Sequence, residues 1–272
     1  MATTATSNFP GACDCHVHIY DDRFPQVPNL AVIPPRAPVS AYREVQRRLG
    51  LERVVIVQPM AYGFDNSCTL DAVAQFGGSA RGICLVQPDA TDAALAQLHA
   101  GGMRGVRYMM IGGPLRWESL EPMAARLKNF GWMINLQLDG RTRPDHEEAL
   151  KRMPCTLVID HTGKFLEPVS PDHPAFLSLL RVLDTGRVWI KLSAPYETSK
   201  DGPPAYEDVS LLARALARQF PERCLWASNW PHPGRNPAPP DDALYELLSS
   251  WADTQALRQQ ILVANPRQLY GF

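Results

Sequence analysis

The sequence predicts an α/β fold, a single-domain (β/α)8 TIM barrel, and three observations carry that prediction. Eight short apolar segments recur along 272 residues, and longer segments with helical spacing of apolar residues separate them. That length suits one large domain of barrel size. No glycine-rich phosphate turn follows the first strand, which argues against a doubly wound open sheet.

The expected strands are CDCHVHIY (13–20), RVVIVQP (53–59), ARGICLVQP (80–88), GVRYMM (105–110), WMINLQL (132–138), TLVIDHTG (156–163), VWIKLSAP (188–195) and CLWASNWP (224–231). They are nearly continuous in Val, Ile and Leu, as strands buried on both faces must be. The expected helices include VSAYREVQRRLG (39–50), which Gly50 stops, DAALAQLHAGG (92–102) and ESLEPMAARLKNFG (118–131). HPAFLSLLRVLDTG (173–186), DVSLLARALARQF (208–220) and DALYELLSSWADTQALRQQIL (242–262) complete the set. Proline-rich stretches at 25–38 and 232–240 follow the first and eighth strands, which places long loops at the C-terminal mouth where barrel enzymes build their sites. Residues 1–11 read as a flexible arm and 12–272 as the barrel.

Composition narrows the partners. The formal net charge is −1, with 45% hydrophobic and 20% charged residues, so bulk electrostatics point to no nucleic acid and no membrane surface. No apolar run approaches the roughly 18 residues of a membrane span. MATTATSNFPG lacks the charged and apolar regions of a secretory signal, and a cytoplasmic location is expected. The helix faces are too ordinary to decide for or against a homo-oligomer. Six cysteines are present, and a reduced state is the default. Cys13 and Cys15, two apart, are expected on one face of the first strand, opposite His16 and His18. No second close cysteine pair completes a metal site there.

Polar residues inside buried strands are the informative exceptions, because burying them is costly unless they are paired or used. Here they gather near strand C-terminal ends: His16 and His18, Arg107, Gln137 and Asp139, Asp160 and His161, Lys191 and Ser193, and Asn229. A barrel places those ends around one cavity. His16 and His18 share a face, either to ligate a metal or to donate to a carbonyl oxygen, against the alternative of satisfied core histidines. His161 gains from the same convergence. Arg107 cannot lose its charge and wants an anion, from a substrate or a structural aspartate. Arg104 reads as a local partner. Arg116 can reach the mouth from the following loop or simply be solvated. Lys191 is a catalytic cation or the partner of Asp160, and Asp14 braces the barrel.

HVH at 16–18, GVRYM at 105–109, VIDHTGKF at 158–165, KLSAPY at 191–196 and SNWPHP at 228–233 resemble the amidohydrolase superfamily. More narrowly they resemble its lactonase branch, which includes 2-pyrone-4,6-dicarboxylate lactonase, 4-sulfomuconolactone hydrolase and galactarolactone isomerase. The resemblance implies a distorted (β/α)8 barrel and a lactone hydrolase acting on a small carboxylated lactone. His16, His18 and His161 would polarise the carbonyl and Arg107 would bind a substrate carboxylate. Substrate contacts are also expected from Arg116, Gln137, Tyr196, Glu197 and His232. No metal is obligatory. In metal-dependent relatives the positions of His16, His18 and His161 hold zinc or manganese. The alternatives are a lactone isomerase, a metal-dependent decarboxylase and a binder without turnover.

Two positions depart from the family pattern. Its eighth-strand motif is D-W-P-H, whose aspartate activates water. Asn229 stands here instead, and an amide takes no proton at neutral pH. His232 is the substitute base to consider. Where the dicarboxylate lactonase has an arginine after the tyrosine of KLSAPY, this chain has Glu197. Its charge repels a second substrate carboxylate and favours a less charged lactone with hydroxyl groups, or pairs with Lys200 or an arginine.

Overall fold

A computed structural model describes residues 9–30 and 32–272. Its eight strands are β1 (Cys13–Val17), β2 (Arg53–Val57), β3 (Ala80–Cys84), β4 (Met103–Met109), β5 (Met133–Gln137), β6 (Thr156–Ile159), β7 (Val188–Ser193) and β8 (Cys224–Ala227). They form one parallel sheet in sequence order. The sheet closes on itself: Ser228 N donates to Asp14 Oδ1, Asn229 N to the His16 carbonyl and His18 N to the Trp230 carbonyl, at 3.0, 3.0 and 2.8 Å. This is the expected TIM barrel.

The helices are α1 (Val39–Leu49), α2 (Ser67–Phe76), α3 (Asp92–Ala100), α4 (Leu120–Lys128), α5 (Glu147–Arg152), α6 (Pro174–Leu183), α7 (Glu207–Gln219), α8 (Asp241–Trp251), α9 (Gln255–Gln259) and α10 (Asn265–Tyr270). Gly50 ends α1 in the left-handed region, at φ 69°, as its position predicts. The expected long helix at 242–262 is broken instead. The chain leaves the helix after Trp251, and Thr254 caps a new start by accepting from Leu257 N. Segments α2, α5 and α10 were not expected.

Two apolar layers sit on either side of the sheet. Outward residues such as Val54, Ile56, Ile134, Leu136 and Trp226 pack against the helices. Inward residues Val55, Val57, Ile83, Met133, Val158, Trp189 and Leu225 fill the barrel with Cys13 and Cys15, and Tyr270 joins them from the C-terminal helix. All six cysteines are free and buried, as small apolar groups. Of the expected arm, residues 1–8 lie outside the described residues. Phe9, near its end, is buried in the core, and Gly11 N donates to Glu52 at 2.8 Å. No helix among the described residues is long and apolar enough to cross a membrane.

Candidate active site

One irregularity in β1 sets the orientation of the site. Its register against β2 shifts between Asp14 and Val17, and a bulge of this kind re-aims the side chains beyond it. Cys13 and Cys15 join the inner layer, and His16 and His18 also face inward, where His16 meets Lys191 and Asp160. The expected opposition of cysteines and histidines is therefore corrected, because strict alternation fails across the bulge. Asp14 turns the other way. It accepts from Ser228 N and Oγ, His16 N and Tyr42 Oη, and so braces β1 against β8 and α1.

The histidine tautomers follow from their partners. Lys191 and Asp160 are both fully buried, and Nζ lies 3.0 Å from Oδ1. The same ammonium lies 3.0 Å from His16 Nδ1, so that nitrogen accepts and Nε2 carries the proton. His16 Nε2 is 3.2 Å from His18 Nε2. His18 Nδ1 is 2.7 Å from the Val57 carbonyl, which only accepts. Protons therefore run one way, from Lys191 through His16 and His18 to Val57. Burial, with the Arg107 charge next in weight, holds His18 down at about 3, so it is neutral at ordinary pH. A neutral His18 with its proton on Nδ1 offers a lone pair at Nε2. It accepts, and cannot donate to a carbonyl oxygen as the three-donor reading expects.

A cavity of about 370 Å3 opens above this floor, and its lining includes His18, Tyr20, Arg107, Gln137, His161, Lys164, Glu197 and Asn229. Leu30, Val32, Pro34 and Pro233 from the two proline-rich loops close its rim. His161 Nδ1 lies 3.0 Å from Ser193 Oγ. A hydroxyl donates or accepts by rotating, so His161 alone of the three is free to change tautomer. Burial holds it down at about 4. Arg107 is buried. Among the described residues its one hydrogen bond is from Nη1 to the Gln58 carbonyl at 3.2 Å, its Nε is buried without a partner, and no carboxylate pairs with it.

The far wall is a continuous network. Asn229 Nδ2 donates to Tyr196 Oη at 2.9 Å and to Glu197 Oε1 at 3.0 Å. Tyr196 Oη and His232 Nδ1 are 2.9 Å apart, and His232 Nε2 and Asp241 Oδ1 are also 2.9 Å apart. Glu197 pairs with Lys164, while Lys200, a partner expected for it, lies instead against Glu167 at 3.4 Å. Burial pushes the Glu197 carboxyl up, but His161, protonated in the acid range where this carboxyl titrates, and Lys164 outweigh it and hold it near 2. His161, Thr162, Lys164, Ala194, Asn229 and His232 all have φ between 44° and 62°. Left-handed non-glycine residues are uncommon, and they concentrate at functional sites.

The expected site residues thus divide. His18, His161, Arg107, Gln137, Glu197 and Asn229 line one cavity, with His16 beneath. Tyr196 and His232 stand behind Asn229. Arg116 is exposed and lines a neighbouring groove with Trp117 and His146, apart from the cavity. Tyr20 and Lys164 were missed. Tyr20 continues the i, i+2 series from His18, and Lys164 stands three residues after His161 in the same motif.

His16, Asp160 and His161 each bring a ligand atom within 4.8 Å of the others, a His/Asp group that could hold a metal. It contains Asp160 where His18 was expected. The charges fit a divalent ion poorly. Lys191 already neutralises Asp160 and occupies His16 Nδ1, and Asn229 supplies no carboxylate.

Known proteins resemble this chain in sequence and fold. The family described as Amidohydrolase matches residues 13–272. The chain is 35% identical to D-galactarolactone isomerase of Agrobacterium fabrum, over 98% of this chain and 94% of that one. It is 33% identical to 2-pyrone-4,6-dicarboxylate hydrolase of Comamonas testosteroni, over 96% and 90%. An apo crystal structure from Agrobacterium tumefaciens superposes with a TM-score of 0.91, at 34% identity and 98% coverage of both chains.

Proposed function

The chain belongs to the amidohydrolase family, and from that premise we propose that it converts a small carboxylated lactone by acyl transfer, with a hydroxyl of the substrate as the preferred nucleophile. The observation that carries the reading is Arg107. A buried guanidinium with no carboxylate partner stands in the same cavity as two neutral histidines. Such a cation is stabilised by an incoming anion, and a substrate carboxylate is the anion that fits bidentate recognition.

The substrate's acyl group then lies over the histidine floor. The Arg107 and Lys164 cations, both lining the cavity, supply the positive field for the negative charge that develops on the carbonyl oxygen. His161, neutral and free to change tautomer, takes the proton of the attacking hydroxyl at Nε2. The tetrahedral carbon collapses, the ring oxygen leaves, and His161 returns the proton to it. The acyl group has moved from one hydroxyl to another with no water consumed. No metal takes part in these steps, and the Lys191–Asp160 pair argues against a metal-dependent decarboxylase.

Isomerisation is preferred over hydrolysis because a hydroxyl tethered to the substrate reaches the carbonyl carbon without a separately held water and a 35% identical relative is named as an isomerase. Asn229 is no base and His232 is turned away to Tyr196 and Asp241, which leaves His161 to serve either nucleophile. Hydrolysis is the second reading, supported by relatives named as hydrolases. Proton NMR of hydroxylated aldaric-acid lactones, run in oxygen-18 water, decides between them. Ring rearrangement without label in the carboxylate supports isomerisation. Label in an opened product supports hydrolysis. No turnover of any lactone on the panel rejects the proposal.

A further inference from the structure

Glu197 and Asn229, the two departures from the family pattern, touch each other, with Nδ2 3.0 Å from Oε1. Their contact is fixed from behind. Asp241 is an acceptor, so His232 places its proton on Nε2 and accepts at Nδ1. Tyr196 therefore donates to His232, and its oxygen is left as an acceptor for Asn229. Both acceptors facing Asn229 demand an NH2 group. The amide has one orientation, and its Oδ1 is left buried without a partner in a residue that lines the cavity.

We propose that Glu197 and Asn229 are one matched specificity element, oriented by Tyr196, His232 and Asp241, which presents an amide oxygen to a hydroxyl donor of the ligand. This deepens the proposed function and rests on it for the ligand class. The pairing itself does not. A carboxylate at 229 would face the Glu197 carboxylate across 3.0 Å and repel it. Asn229 is thus the residue this wall requires, not a damaged aspartate. An arginine at 197 would present donors to the Asn229 NH2 and lose the bond. Tyr196, His232 and Asp241 are positioning residues.

A double-variant cycle tests the pairing by urea unfolding at neutral pH. Asn229→Asp is expected to lower the folding equilibrium constant about tenfold, within the range for contacting residues. Adding Glu197→Gln, which donates to the new carboxylate, is expected to restore most of that loss. If Asn229→Asp fails to fold, folding of the double variant supports the pairing. A fully stable Asn229→Asp, or a double variant no better than the single, overturns it. Ligand class is read by thermal shift with galactarate and adipate, six-carbon diacids that differ only in hydroxyl groups. A larger shift from galactarate that vanishes in Asn229→Leu supports hydroxyl reading. Equal shifts, including none, overturn that half while leaving the cycle to judge the pairing. Lost lactone turnover with an intact cycle rejects the reaction and keeps the pair.

Discussion

The Lys191 ammonium lies 3.0 Å from His16 Nδ1 and 3.0 Å from Asp160 Oδ1, all within the closed interior of the barrel. One buried cation thereby balances a carboxylate and fixes a histidine tautomer. Removing one member of such a pair leaves the other charge stranded, which typically costs about 3–5 kcal/mol, whereas neutralising both is often harmless. Lys191→Met should therefore lose about 3–5 kcal/mol of stability in urea unfolding, and Lys191→Met with Asp160→Asn should regain most of it. A Lys191→Met protein as stable as the wild type would show that the pair does not work this way.

Activity should persist to unusually low pH. His161 is held at about 4 by burial, against an ordinary 6.5. A lowered histidine stays neutral until the pH falls through its folded value. The acid limb of kcat/KM should accordingly lie near pH 4, and a limb near 6.5 in the measured profile would remove His161 from the proton transfer.

Stability should also fall on the acid side through Glu197. Its carboxyl is held at about 2 in the folded chain, against an ordinary 4.5. A depressed carboxyl stabilises fully above 4.5 and loses that contribution as the pH drops toward 2. The gap corresponds to about 3 kcal/mol as an upper figure. Glu197→Gln should flatten that part of the stability–pH curve between pH 5 and 2, and an unchanged slope would sink the assignment.

Much of this was legible in the sequence. The eight strands stood out because a parallel barrel buries both faces of each. Arg107, Gln137, His161 and Asn229 stood out because polar groups at buried strand ends demand a use. Other features were hidden by their physical nature. The bulge between Asp14 and Val17 is a backbone event with no residue signature, and it overturned the alternation that placed Cys13 and Cys15 opposite the histidines. The partnership of Glu197 with Lys164 joins the loops after β7 and β6, which the barrel brings together, and that of His232 with Asp241 depends on how the nine-residue turn into α8 folds back.

The metal question has a direct test. Chelator dialysis should leave activity intact, and the purified chain should carry well under one zinc or manganese ion per molecule. The reason is charge. The nearest donor group, His16, Asp160 and His161, already encloses the Lys191 ammonium, and Arg107 stands close enough to depress His18. A divalent ion would add repulsion at a site whose nearby carboxylates, Asp160 and Glu197, are already paired with Lys191 and Lys164. Activity lost on chelation and restored by zinc would mean that Lys191 moves aside for the ion, and the roles given to His16 and Lys191 would have to be exchanged for those of metal ligands.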